Sequence, residues 1–131
     1  MDHDANDATT TYADTLLEGW EDVYRKSQLS LLILLSLKDG AKYTAQINNF
    51  MSDVSNGLQK TDEQSVYRTL RRFTRAQIVT YEEVTGKGGP KRKLYSLTQT
   101  GNEVLQRFLE RNVIGFFYKP QVRILIERKY L

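Results

Sequence analysis

The sequence predicts a mainly α-helical chain with one small β-hairpin, an α+β class, and three observations point that way. In successive stretches, apolar residues recur every three to four positions, the period of a helix with one buried face. One stretch, Ile78 to Thr85, instead concentrates β-branched and aromatic residues, and Gly86-Lys87-Gly88-Gly89-Pro90 behind it cannot continue a strand. The chain has 131 residues, 40% hydrophobic and 27% charged, close to the averages for one soluble globular domain.

Taken in order, residues 1–12 show no apolar period and read as a disordered acidic tail. Leu16, Leu17, Trp20, Val23 and Tyr24 then mark a first amphipathic helix to about Lys26. A second, almost wholly apolar helix is expected from about Gln28 to Lys38, closed by Asp39-Gly40. Thr44 is placed to cap a third, whose apolar positions are Ile47, Phe50, Met51 and Val54, and Ser55-Asn56-Gly57 ends it. A fourth opens at Thr61 or Asp62 and runs to about Ala76, with Val66, Leu70 and Phe73 as its stripe. The hairpin pairs Ile78–Thr85 with Lys93–Leu97. Thr98 can cap a helix over about 99–113 carrying Val104, Leu105, Phe108 and Leu109. For residues 121–131 two readings stand. Pro120 near the start favours a short helix, whereas Val122, Ile124 and Ile126 alternate as a strand would.

Composition removes several classes of chemistry. Without cysteine there are no disulfides, thiolate metal sites or cysteine nucleophiles, which is compatible with a reducing cytoplasm. The single histidine, His3, lies in the tail, so neither a Ser-His-Asp triad nor a histidine metal site can be assembled. Gly86-Lys87-Gly88-Gly89 lacks the spacing of a phosphate loop and lies between strands, so no enzyme and no cofactor is expected. The longest apolar run, Leu29 to Leu37, includes two serines and is far short of the roughly 20 residues that cross a bilayer. The acidic N-terminus is unlike a secretory signal, which leaves a cytoplasmic protein as the expectation.

The net charge of +3 conceals an asymmetry. Residues 1–22 hold seven acids and no Lys or Arg, so the remainder carries +10. From Gln59 to Lys93 there are nine basic residues against Asp62, Glu63, Glu82 and Glu83. Three core helices, a hairpin with a basic glycine-rich tip and a closing helix make a winged helix-turn-helix, whose third core helix enters the major groove. The expected partner is double-stranded DNA. Gln64, Ser65, Arg68, Arg71 and Arg72 on that helix, with Lys87, Lys91, Arg92 and Lys93 on the wing, are the candidate contacts: lysine and arginine neutralise phosphates, while arginine, glutamine and serine also bond to base edges. The competing reading of the arginines is a solvated face paired with Glu63 and other acids.

Two runs resemble the PadR family of transcriptional regulators. They are Val66-Tyr67-Arg68-Thr69-Leu70-Arg71-Arg72-Phe73 and Gly88-Gly89-Pro90-Lys91-Arg92-Lys93-Leu94-Tyr95-Ser96-Leu97-Thr98-Gln99-Thr100-Gly101. The family pattern is a Leu-Tyr…Leu-Arg-Arg-Leu run and a Gly-Gly-Pro…Arg-Lys-Tyr-Tyr-x-Leu-Thr-x-x-Gly wing. The resemblance covers roughly Gln28 to Asn112 and is to the short, single-domain subfamily. It implies packing and a phosphate bond for Tyr67 and Tyr95. It also implies a homodimer, the N-terminal helix of one subunit against the C-terminal helix of the other. The chain then divides into the tail, a winged helix-turn-helix domain with its N-terminal helix over 13–113, and a dimerisation segment over 114–131. Trp20, Phe108, Phe116, Phe117 and Tyr118 exceed the aromatic surface that a core of about 80 residues needs. By resemblance to members that sense flat hydrophobic compounds, they are candidates for the dimer contact and an effector pocket, the plainer reading being ordinary packing. Two departures stand out: Tyr43-Thr44-Ala45-Gln46-Ile47 replaces the family's His-Gly-Tyr-Glu-Ile, and Gln77 replaces the glycine before the wing, so that turn is made without the easiest residue. The functional expectation is a sequence-specific homodimeric repressor released by a small hydrophobic effector. The alternative is a winged-helix interaction module that docks an acidic partner.

Overall fold

A computed structural model describes residues 11–59, 62–86 and 88–129 of the chain. Asp2, His3, Asp4, Asp7, Thr61, Lys87 and Tyr130 lie outside the described residues. Helix α1 spans Tyr12–Ser36, so the two helices expected at the N-terminal end are one element of 25 residues. Nothing in Lys26-Ser27-Gln28 breaks a helix, and the Ser27 hydroxyl donates to the Tyr24 carbonyl at 2.8 Å, satisfying its polar group inside the turn. The helix starts at Tyr12, inside the stretch read as tail, because Thr11 and Asp14 cap it reciprocally. The Thr11 amide donates to Asp14 Oδ2 at 3.0 Å, and the Asp14 amide to Thr11 Oγ1 at 3.1 Å.

The chain divides into two compact units between Ser30 and Leu31. In the first, α1 displays Leu16, Leu17, Trp20, Val23 and Tyr24 to solvent. The second contains α2 (Thr44–Val54), α3 (Glu63–Arg75), β1 (Val79–Thr85), β2 (Lys91–Leu97), α4 (Gln99–Leu109), a π-helical turn (Glu110–Ile114), the single turn α5 (Gly115–Phe117) and α6 (Pro120–Glu127). Its core joins Ile33 and Leu37 to Ile47, Met51, Val66 and Leu70, with Phe73, Val79, Tyr95 and Leu105 around them. These are the helical stripes the periodicity predicts, except that Val54, Val104 and Phe108 stay exposed. The residue before α2 is Tyr43 and not Thr44; its amide is taken by the Gln46 side chain at 2.9 Å, which moves the helix start back by one position.

The hairpin is antiparallel, with Val79 opposite Leu97 and Thr85 opposite Lys91. β2 begins two residues earlier than expected, since Lys91 and Arg92 are exposed and can pair with Thr85 and Val84 while their charges stay in water. A third segment adds one rung: the Lys42 and Tyr95 amides donate to each other's carbonyls at 2.9 Å.

The base of the hairpin is closed by two linked features. First, α3 ends in a Schellman arrangement, in which the Ile78 amide donates to the Phe73 carbonyl at 2.9 Å and the Gln77 amide to Thr74 at 3.1 Å. Gln77 takes φ +61° there, a left-handed conformation that glycine adopts without strain. Second, Thr98 caps α4 by accepting the Gly101 amide at 2.9 Å, while its hydroxyl donates to the Gln77 carbonyl at 2.6 Å. The Thr98 amide also donates to the Ile78 carbonyl, at 3.0 Å. A Cβ on Gly101 would collide with that Ile78 carbonyl, so only glycine fits.

Beyond α4 the helix expected over 99–113 widens into the π turn. A Cβ on Gly115 would strike the Glu110 carbonyl, so glycine permits the wider winding there. For residues 120–127 the helical reading holds. Pro120 occupies the first turn, where no amide is needed, and Arg123 pairs with Glu127 one turn on at 3.4 Å.

Gly101→Ala should lower the unfolding free energy by about 1–3 kcal/mol, the usual cost of forcing an atom into a packed site. Gly19 has open space around it in exposed helix, so Gly19→Ala should raise it by about 0.5–1 kcal/mol. Urea titrations measure both. Equal effects of the two substitutions would show that the Ile78 carbonyl does not restrict position 101.

Candidate nucleic-acid interface

Helix α3 supplies the first half of the site. Asp62 precedes it and accepts the Ser65 amide on Oδ1 at 2.7 Å. That bond, with a further contribution from the Arg68 charge, holds the Asp62 carboxyl below the ordinary carboxylate range. At 3.6 residues per turn, Gln64, Arg68, Arg71 and Arg75 share one side of the helix, opposite Val66, Leu70 and Phe73. All four are exposed, whereas Val66 and Leu70 are wholly buried. Arg72 lies to one side, its guanidinium 5.6 Å from the Phe73 ring centroid, and Ser65 is half-buried in the capped first turn. Among the described residues the salt bridges engage Lys26, Lys42, Arg107 and Arg123, and none reaches Arg68 or Arg71. Arg68 acts on Asp62 through its charge without a salt bridge.

Strand β2 supplies the second half. Lys91, Arg92 and Lys93 are exposed and border a cleft of about 420 Å³, together with Tyr43, Tyr67 and Glu63. The Arg92 guanidinium stands 3.9 Å above the Tyr43 ring centroid. Lys93 stands 4.5 Å above Tyr81, whose ring lies 5.6 Å from that of Tyr95. A shallower hollow of about 220 Å³ lies between Arg71, Arg75 and Lys93. Burial pushes the Tyr95 hydroxyl up, so it is neutral at physiological pH.

The structure therefore gathers Tyr67, Lys91, Arg92 and Lys93 at one cleft and brings Arg71 to Lys93 at a second. Gln64, Arg68 and Arg72 border neither. Sequence reasoning missed Tyr43, Thr44, Asn48 and Tyr81. The available signal was slight: Thr44 and Asn48 are polar residues one turn apart that flank the buried Ile47–Met51 stripe.

The aromatic residues at the chain ends are on the surface. In the first unit Trp20 is 74% exposed and borders a shallow hollow with Leu17, Glu21 and Tyr24. In the second, Phe108 and Tyr118 are exposed, and Phe116 and Phe117 meet edge to face with centroids 4.9 Å apart. Among the described residues no His, Asp or Glu cluster could hold a metal ion, and no helix is long and apolar enough to cross a membrane.

Helices α2 and α3 beside a two-stranded basic hairpin define a winged helix-turn-helix protein. Residues 33–107, more than half of the chain, match the transcriptional regulator PadR-like family, and the chain belongs to that family of regulators, which are not enzymes. Its fold is similar to that of a PadR family transcriptional regulator from Eggerthella lenta, at a TM-score of 0.69 and 20% identity, over 89% of this chain and 97% of that one. A PadR-like regulator from Bacillus cereus matches at 0.62 and 24% identity, over 79% and 96%. Bacillus subtilis PadR, in complex with operator DNA, matches at 0.57 and 21%, over 62% of this chain and 46% of that one. No curated protein matches the chain in sequence.

The Asp62 cap carries a pH dependence. A carboxyl whose folded-state value is depressed stabilises above its unfolded value of about 3.9, and the stabilisation is lost as pH falls through the lower folded value. Asp62→Asn keeps a capping oxygen without the charge. Its thermal midpoint should lie below the parent's at pH 7, and the gap should close below about pH 4. A gap that persisted unchanged into acid would show that the charge takes no part.

Proposed function

We propose that the chain is a sequence-specific DNA-binding regulator acting as a homodimeric repressor in the cytoplasm, released by a small hydrophobic effector. The observation that carries this reading is the exposed Gln64-Arg68-Arg71 face of α3, which meets the Lys91-Arg92-Lys93 wing where Arg71 and Lys93 border one hollow. Gln64, Arg68 and Arg71 are assigned to base edges, with Ser65 beside them in the first turn. Arg72, Lys91, Arg92 and Lys93, with Lys87 from the wing tip and the Tyr67 hydroxyl, are assigned to phosphates. The family match and the operator complex of Bacillus subtilis PadR support the choice of DNA.

The dimer follows from two needs. One winged helix covers a short half-site, so tight specific binding requires two recognition helices about 34–36 Å apart. The exposed faces that hold Trp20 on α1 and Phe108, Phe116, Phe117 and Tyr118 near the C-terminal end are apolar surface of the kind that dimer cores bury. In this reading residues 114–131 are the dimerisation segment, and the same aromatics would stack on a flat effector.

Binding to a palindromic fragment from the gene's own upstream region tests the assignment. Arg68→Ala and Gln64→Ala should each weaken binding by about 1–3 kcal/mol and relax discrimination at particular base pairs. Alanine at Lys91, Arg92 and Lys93 together should weaken binding to every sequence and flatten the dependence of log affinity on log salt, by roughly one unit for each phosphate that is no longer neutralised. Binding with no sequence preference in the parent would favour the interaction module instead.

Removing residues 114–131, or changing Trp20 and Phe117 together to polar residues, should give a largely monomeric protein that keeps a winged-helix circular dichroism spectrum. Its operator affinity should fall to the non-specific range, about 10⁻⁴–10⁻⁶ M at physiological salt. Sedimentation equilibrium and a DNA titration measure the two effects. A truncated protein that stayed dimeric and specific would refute the assignment of the chain ends.

A further inference from the structure

We propose that Tyr43 is a positioning residue of the wing. Its ring holds the Arg92 guanidinium by the face, so that the in-plane N–H donors are ready for a DNA phosphate oxygen. The proposal rests on the DNA-binding reading above and adds a residue that reading does not contain.

Tyr43 is fixed by its neighbours along the chain. Lys42 is pinned to β2 by the reciprocal amide bonds with Tyr95. The Tyr43 amide donates to Gln46 Oε1, and its carbonyl accepts the Ile47 amide at 3.0 Å in the first turn of α2. With its backbone held from both directions, the half-buried ring is a fixed platform. Arg92, by contrast, projects from an exposed rung of β2 beside the glycine-rich tip. A free arginine there would lose its rotamer freedom when it met a phosphate, and that loss would subtract from affinity. The 3.9 Å stack on Tyr43 orders it beforehand.

The geometry suits arginine in particular. A guanidinium stacks through its face while all five N–H donors point outward in its plane, so stacking and bidentate phosphate bonding do not compete. Among the described residues, Lys91 and Lys93 border the same cleft and add positive charge, against the carboxylate of Glu63. An anion is the ligand this cleft favours, and a nucleic-acid backbone supplies one without regard to sequence.

Titration of the full-length chain on a duplex carrying its site is the test. Tyr43→Leu should weaken binding about 2- to 5-fold, the worth of an exposed cation–π contact. Tyr43→Phe and Tyr43→Trp should bind as the parent does. Arg92→Ala should lower the salt slope by about one unit, and in that background Tyr43→Leu should have no further effect. In the parent, free of DNA, the Arg92 side-chain proton resonances should show the upfield shift produced by a ring face. That measurement keeps the proposal testable if Tyr43→Leu folds poorly. Equal losses from Tyr43→Leu with and without Arg92, a Tyr43→Phe variant as weak as Tyr43→Leu, or unshifted Arg92 protons would each overturn it. If the lysine-to-alanine wing variants weaken binding while Arg92→Ala does not, this proposal fails and the DNA-binding reading stands. If no wing variant changes binding, both fail.

Discussion

The contact between Thr98, Gly101 and the Gln77–Ile78 carbonyls is the constraint on which the functional face depends. One threonine caps α4, takes the carbonyl at the left-handed end of α3 and closes the base of the hairpin. Any slack at this point would let the wing swing relative to α3, because the hairpin has only two strands and isolated two-stranded sheets are marginal in water. Gly101 permits the close approach, and the Lys42–Tyr95 rung braces β2 from its other edge. A strained residue, Gln77, is tolerated at φ +61° because the bonds around it fix the turn.

Much of this was legible in the sequence, and for a physical reason: the elements that carry the site are local. The Val66-Leu70-Phe73 stripe, the β-branched strand before a glycine-rich tip, and a threonine before a helix are each decided within a few residues. The position of the left-handed turn came from the resemblance, which puts a glycine where Gln77 stands. What escaped was what depends on distance or on a partner. The continuity of α1 turned on the absence of a breaker at Ser27, which a change of composition from amphipathic to apolar disguised. Residues 121–126 fit both periods, and the choice rests on Pro120 and the Arg123–Glu127 pair. Tyr43 meets Arg92 only because the hairpin folds back, so no spacing along the chain announces it.

The apolar ends show a different limit. Leu16, Trp20 and Val23 on α1, and Val104 and Phe108 on α4, recur at helical spacing as the core stripes do, yet they remain exposed in the single chain. Periodicity reports that a face has something to bury and is silent about whether the partner lies in the same molecule. The same pattern therefore fits a monomer core and an interface alike, and the accessible surface shows which faces the single chain leaves uncovered.

Electrostatics follow a similar logic of placement. A net charge of +3 is unremarkable, and the useful quantity is where the cations stand. On α3 the arginines occupy the face that the core stripe leaves outward; on the wing, Arg92 and Lys93 each lie against a tyrosine ring. In the DNA-binding reading proposed above, the wing cations supply charge to any phosphate, while the α3 face offers hydrogen-bonding groups that can tell base pairs apart. Neither half is sufficient. Phosphate contacts alone are indifferent to sequence, and a few base contacts alone are too weak to hold a duplex. In the reading proposed above, a duplex engaged by the wing meets α3 across the Thr98 junction, which ties the end of α3, the base of the hairpin and the start of α4 together. On that reading, affinity and discrimination are coupled through the few hydrogen bonds that the Thr98 hydroxyl and amide make.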